Sequence, residues 1–226
     1  ARESRGLHLA VVAGLPLLHG GKLFNCAAVL CNGSILGVVP KRHIPNYSEF
    51  YELRHFSPAL PGNEEIQLNG QAVPFGGKLL FVCLDLPDFI FGAEICEDLW
   101  VPSPPSLAHA AAGATVIANL SASDETVDKE PYRRNLVTMQ SAKLPCAYLY
   151  ADAGDGESTT DLVFSGHNLI AQNGRMLAEC PPFGSGWAAA EIDVELLRQE
   201  RARMSVIPPH DSQGYLTIPF SLPLSM

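Results

Sequence analysis

Apolar residues fall along this chain in short runs, each closed by turn formers, a spacing that predicts strands with a few helices between them. The run "LHLAVVAGLPLL" predicts a buried strand. "FNCAAVLC" and "SILGVVPK" flank Asn32-Gly33, a pair that readily takes the positive φ angles of a tight turn. They predict a hairpin that delivers Lys41 at its exit. "KLLFVCLDLPDFIFGAEIC" predicts two strands around Leu86-Pro87-Asp88, and "TVIANLSAS" a strand that runs into small hydroxyl residues. "CAYLYAD" reads as a further strand, "GHNLIAQNGRMLAEC" repeats the hairpin signature at Asn173-Gly174, and "WAAAEID" is expected to close the series.

Two helices are predicted. "PPSLAHAAAGA" has Pro at its start and Gly113 at its end, and over 131–144 the residues Tyr132, Leu136, Met139 and Ala142 recur at spacings of three and four. Strands alternating with helices, with hairpins inserted, indicate a layered α/β fold with mixed sheets. Two stretches carry no period. One is the aromatic-rich "RHIPNYSEFYELRHFSPALPGNEE", much longer than the usual connection of about 4–6 residues, a length typical of functional loops. The other is the tail "PPHDSQGYLTIPFSLPLSM".

Composition narrows the class. The 226 residues, 47% apolar and 17% charged, suffice for one sizeable core, so 1–226 is read as one domain. A formal net charge of -9 argues against a nucleic-acid or anionic-membrane surface, which needs clustered Lys and Arg. No apolar run approaches the roughly 18 residues of a membrane span, and "ARESRGLHLA" lacks the apolar core of a signal peptide, so a cytoplasmic location is expected. Of the six cysteines, Cys26, Cys31, Cys83 and Cys146 lie in apolar runs, where a reduced thiol behaves as a small core residue. The absence of C-x-x-C, H-E-x-x-H and G-x-G-x-x-G patterns leaves metal and dinucleotide sites unsupported. "HGGKL" fails as a phosphate loop, because Pro16 stands where the first glycine belongs and Leu23 where a hydroxyl residue belongs.

In α/β folds the C-terminal ends of strands gather around the ligand crevice. Three such ends carry reactive groups here: Lys41, Cys96, and the pair Ser121 and Ser123. Singly, each has an ordinary explanation as a solvated charge, a core thiol or a helix cap. Cys96 also sits beside Glu97 and Asp98, whose charges would make a thiolate harder to form. An ammonium about 4 Å away at an effective dielectric near 20 is worth roughly 4 kcal/mol in the opposite direction.

The combination resembles the carbon–nitrogen hydrolase, or nitrilase, superfamily and, within it, the glutaminase domain of glutamine-dependent NAD synthetases. The resemblance is carried by "GVVPKRHIPNYSEFYELRHFSP", "GAEICEDLWVPSPPS", "GATVIANLSASDETVDKEPYRRNL" and "VFSGHNLIAQNGRMLAE", in the family's order. It implies an α–β–β–α sandwich of two sheets with helices outside. It implies Cys96 as the nucleophile on the glutamine side-chain amide, with Lys41 and the peptide N–H of Glu97 stabilising the oxyanion. Tyr47, Ser123 and Lys129 match positions that hold glutamine, and Glu97 either faces the α-amino group or a structural partner or, with Asp98, simply begins the following helix at its positive end. The resemblance implies no cofactor in this domain; ATP and magnesium belong to a synthetase domain absent from this chain, which would take the ammonia. It also implies a homo-oligomer paired through the helices near Pro105 and Pro131.

One departure stands out. The family's general base is a glutamate upstream of the lysine in a Pro-Glu-Leu context, and here the acids nearest that region are Glu3 and, beyond Lys41, Glu49 and Glu52. The expected domain is therefore truncated at its N-terminus, without its first strand and helix, and weak as a glutaminase on its own. Two other readings stay open at this point: a free-standing amidase of the same superfamily, and a non-catalytic remnant that keeps the fold as an interaction module.

Overall fold

A computed structural model describes residues 1–184, 186–206 and 211–222. The strand Ala10–His19 (β1) turns through Gly20-Gly21 into Lys22–Cys31 (β2), and Asn32-Gly33 turns β2 into Ser34–Pro40 (β3); the strands and the Asn32-Gly33 hairpin are as predicted, but β1, expected to be buried, is a half-exposed edge strand with Leu18 71% exposed. Two strands then follow that the sequence reading did not assign, Asn63–Leu68 (β4) and Gln71–Gly76 (β5). Their turn is Asn69-Gly70, both at positive φ, the same signal as in the other hairpins. Glu64 and Glu65 broke the apolar alternation that would have marked β4.

These five strands form one sheet in the order β1-β2-β3-β5-β4. It is rolled: His19 of β1 and Glu64 of β4, on opposite edges, meet at 3.1 Å, and the His19 ring lies 5.3 Å from that of Phe75. The concave side encloses Phe24, Cys26, Val38, Val73 and Phe75.

The second sheet has seven strands. Leu79–Cys83 (β6), Ile90–Ile95 (β7), Val116–Ser121 (β8), Ala147–Asp152 (β9), Leu169–Gln172 (β10) and Arg175–Glu179 (β11) are joined by Leu216–Phe220 (β12), in the order β11-β10-β9-β8-β7-β6-β12. β7, β8 and β9 run parallel, so their C-terminal ends come out together. β12 pairs parallel with β6 at the sheet edge, where Pro219 is tolerated because its missing N–H faces no partner. The tail thus contributes a strand to a sheet begun far upstream; its residues 208–210 and 223–226 lie outside the described residues.

The two sheets pack face to face over Ala27, Val29, Val39, Phe81, Phe91 and Ile95. Helices Glu97–Trp100 (α1), Pro105–Ala111 (α2) and Lys129–Lys143 (α3) cover the other face of the larger sheet, burying Leu99, Ala110, Val137 and Leu144. This is the two-sheet layered arrangement expected from the sequence. One further expectation needs correction. "WAAAEID" forms no strand: Trp187 is 82% exposed and the segment leads instead into a helix, Val194–Arg203 (α4). Asp193 caps it by accepting the N–H of Leu196 at 2.8 Å, and Val194 and Leu197 plug the intersheet core.

His109 of α2 is the clearest buried polar group of the helical layer. It packs directly on Gly92 of β7, where a Cβ would stand 2.9 Å from the imidazole Cγ. Its Nε2 donates to Ala93 O at 3.2 Å and its Nδ1 accepts from Tyr215 Oη at 2.9 Å. Burial pushes its pKa from 6.5 down to about 4, against the Ala93 carbonyl, which favours the charged ring. A depressed histidine pKa means the unfolded chain binds the proton first, so this contribution is complete above about pH 6.5 and is lost as pH falls toward 4. Between about pH 7.5 and about pH 5 it amounts to about 2 kcal/mol. His109→Gln is expected to lose that much less stability over the same interval in urea unfolding; parallel losses would show that His109 does not titrate as its burial implies.

Candidate active site

Cys96 lies at the junction of β7 and α1 with φ 48° and ψ −103°, a backbone region that side chains seldom occupy. The turn lifts the thiol off the sheet into a cavity of about 710 Å³ at the C-terminal ends of the parallel strands. Of the six cysteines, the other five are buried, and Cys96 alone is partly exposed. Lys41 lines the same cavity from the other sheet, at the end of β3, where its N–H is held by Asn25 O at 2.8 Å. Ser121, from the end of β8, and Asp152, from the end of β9, complete the floor.

The long loop closes the cavity. Its short 3-10 turn, Glu52–Arg54, brings Glu52 Oε2 to 2.5 Å from Lys41 Nζ, while Glu52 Oε1 accepts from Asn25 Nδ2 at 2.8 Å. Lys41 is 3% exposed, so this pairing keeps an ammonium from standing buried and alone. The role of Glu52 as the partner of Lys41 was not legible in the chain, and Asn25 looked like an ordinary strand residue.

The two acids beside Cys96 are bonded to other partners. Asp98, 2% exposed, accepts from His43 N and from His43 Nδ1, both at 2.8 Å, and from Ile95 N at 3.0 Å. Glu97 Oε1 accepts from Tyr47 Oη at 2.9 Å, and burial together with that contact pushes the phenol up to about 12. Burial raises the Cys96 thiol above its ordinary value. Lys41 opposes that shift most strongly, helped by the Ala122 N–H and the Ser121 hydroxyl, while Asp152 adds to it.

The residues assigned by resemblance separate into groups. Cys96 and Lys41 share the cavity. Tyr47 and Glu97 are joined to each other beside it. Lys129 pairs with Asp124 and sits over the rings of Trp100, at 5.3 Å, and of Phe50, which forms part of the cavity wall. Ser123 is 2% exposed; its N–H donates to Asp152 Oδ1 at 2.9 Å and its Oγ accepts from Arg133 Nη2 at 3.5 Å, while Ser121 and Ala122 line the cavity. Asp152 is pushed up to about 6 by burial, against the Ser123 N–H and Arg133.

Away from the cavity, Glu130, His167 and Glu179 bring three possible metal-ligating atoms within 4.8 Å of one another. The imidazole is already engaged on both sides. Arg133 Nη1 lies 3.0 Å from Nδ1 and can only donate, so Nε2 carries the proton and donates to Glu179 Oε1 at 2.9 Å. No lone pair is left for an ion.

The chain matches the carbon–nitrogen hydrolase family over residues 1–202. It is 48% identical over 204 residues to the glutamine-dependent NAD(+) synthetase of Mycobacterium tuberculosis, covering 89% of this chain and 30% of that protein. The human glutamine-dependent NAD(+) synthetase is 31% identical over 207 residues, covering 85% and 28%. Among solved structures, a glutamine-dependent NAD(+) synthetase from Cytophaga hutchinsonii superposes with a TM-score of 0.66 at 30% identity, over 76% of this chain and 27% of that one. A carbon-nitrogen hydrolase from Helicobacter pylori shares the fold with a TM-score of 0.64 at 22% identity, over 88% and 66%. The chain thus spans about 30% of the length of the curated relatives it matches. With a cysteine on a positive-φ turn and a lysine in one cavity of a two-sheet fold, and a family match over residues 1–202, the chain belongs to the carbon–nitrogen hydrolase family.

Proposed function

We propose that this chain is the glutamine-hydrolysing part of an NAD-synthesising protein, with Cys96 as nucleophile and Lys41 as oxyanion stabiliser. The observation that carries the reading is the partly exposed Cys96 on a positive-φ turn in a cavity shared with Lys41. The thiolate attacks the side-chain amide carbon of glutamine, and the carbonyl electrons move onto oxygen. The Lys41 ammonium and the N–H of Glu97, the first amide of α1, stabilise that oxyanion. Collapse breaks the C–N bond, and nitrogen leaves as ammonia once a proton reaches it. Water then cleaves the thioester, yielding glutamate and the free thiol.

Tyr47, Glu97 and Lys129 would hold the amino-acid end of the substrate, while Ser123, buried against Asp152 and Arg133, would act from behind the cavity wall that Ser121 and Ala122 line. The ammonia would pass to a synthetase domain that uses ATP and magnesium to convert deamido-NAD to NAD in the cytoplasm. Pairing of two copies through α2 and α3 belongs to the same proposal, supported by Tyr132 and Met139, which are 58% and 65% exposed on α3.

Three outcomes are expected. In the longer protein, Cys96→Ala lowers glutamine-dependent synthesis at least about a hundredfold while synthesis from added ammonia persists. Equal loss with both nitrogen sources would make Cys96 a structural residue. Lys41→Met removes the cation that favours the thiolate, so the pH midpoint for iodoacetamide alkylation of Cys96 rises by about one unit or more. An unmoved midpoint would mean that the ammonium does not act on the sulfur. The 226-residue chain alone releases ammonia from glutamine about 10²–10⁴ times more slowly than a form carrying the family's upstream glutamate. Matching rates would shift the proton-transfer role to Glu52 or Glu49.

A further inference from the structure

The φ of 48° at Cys96 has to be held by its surroundings, and the first group to hold is its own peptide N–H. That N–H is shared between Leu120 O at 2.9 Å and Asn119 Oδ1 at 3.3 Å. Asn119 Oδ1 also accepts the Ser121 hydroxyl at 2.7 Å, and Asn119 Nδ2 donates to Tyr148 Oη at 3.1 Å. Tyr148 in turn donates to Glu94 Oε1, and Glu94 Oε2 accepts the N–H of Ser106 at 2.7 Å. Glu94, Asn119 and Tyr148 are at most 1% exposed, and none of them lines the cavity.

The buried end of this chain of bonds sets its direction. Ser106 N–H occupies one carboxylate oxygen, so the other is left to accept, and Tyr148 must donate to it. The phenol oxygen is then free to accept from the Asn119 amide, which turns the Asn119 carbonyl toward Cys96 N–H and the Ser121 hydroxyl. Reversing any link would set a donor against a donor at the elbow.

We infer that Glu94, Tyr148 and Asn119 are positioning residues for the nucleophile, a hydrogen-bonded line from beneath α2 that fixes the Cys96 elbow and the Ser121 hydroxyl beside it. The inference rests on Cys96 being the reactive thiol. A glutamine at position 94 has one acceptor oxygen and an NH2 donor, so it sets a donor against either the Ser106 N–H or the Tyr148 hydroxyl and disturbs the line without changing size. Tyr148→Phe breaks it without losing the ring.

The test is alkylation of Cys96 in the full-length protein at about pH 8, read by mass spectrometry. Burial pushes Glu94 up to about 7, so it is a carboxylate there. Iodoacetamide reports the thiol alone and a glutamine-mimicking diazoketone reports the thiol with its substrate pocket. Glu94→Gln and Tyr148→Phe are each expected to slow iodoacetamide alkylation about tenfold, with near-ultraviolet circular dichroism unchanged. The double variant is expected to be no slower than the slower single one, because both cut the same line. Folded variants that alkylate at the wild-type rate, or effects that multiply in the double variant, would overturn the inference. Should Tyr148→Phe fail to fold, Glu94→Gln carries the rate test by itself. Wild-type protein that resists the diazoketone while the iodoacetamide pattern holds would remove glutamine as substrate and leave the positioning role standing.

Discussion

A non-glycine residue held in a sparsely populated backbone region costs on the order of 1–3 kcal/mol and persists only where its surroundings over-determine it. At Cys96 that requirement organises much of the nearby polar structure. Asn119 and Leu120 hold the N–H from the neighbouring strand, and Asp98, two residues on, reaches back to Ile95 N. The same carboxylate accepts from the N–H and the ring of His43, just beyond Lys41. One buried side chain therefore ties the elbow on the larger sheet to the end of β3 on the smaller one. The acids that looked hostile to a thiolate in the sequence are thus accounted for: Asp98 is a strap between sheets, and Glu97 is turned out to Tyr47.

The electrostatics of the cavity follow from the same burial. Partial burial favours the protonated thiol, and Lys41 works against that. Lys41 itself is buried and is matched by Glu52, so the cavity sets the thiol beside a paired ammonium rather than an isolated charge. Under the proposed mechanism an oxyanion near Lys41 would meet a cation already desolvated and held by Glu52, on a backbone whose N–H is fixed by Asn25 O, so its environment would need no ordering, the condition under which such contacts act most strongly.

Elements defined by local signals were legible in the sequence. Asn-Gly turns gave two hairpins, Pro and Gly bracketed α2, and a spacing of three and four gave α3. The third Asn-Gly hairpin was hidden because consecutive exposed glutamates, Glu64 and Glu65, break the alternation of β4, and β12 because its partner β6 lies far upstream. The reading of "WAAAEID" failed for a related reason: an apolar composition without a strand to pair with makes no strand. In the site, Cys96 and Lys41 were picked out because both end strands and together match the family's motifs, and the two side chains do share one cavity. The partnership of Lys41 with Glu52 and Asn25 was not, since it depends on how an aperiodic loop folds back, and no spacing encodes that.

Strand register explains why so many polar groups could be buried around one turn. Glu94 pairs across β7–β8 with Asn119, and Asn119 pairs across β8–β9 with Tyr150. All three therefore face the helical layer, at the level just below the strand ends. Ile95, the next residue along β7, faces the apolar core between the sheets. A slip of one residue in β8 would turn Asn119 into that core, where the amide would be unpaired, and would bring Ile117 and Leu120 out of their layers. The penalty for misregister thus falls on polar and apolar faces together. The bonds that hold the Cys96 N–H also report that β7 and β8 are in register, so correct pairing of the sheet and correct placement of the thiol are one event rather than two.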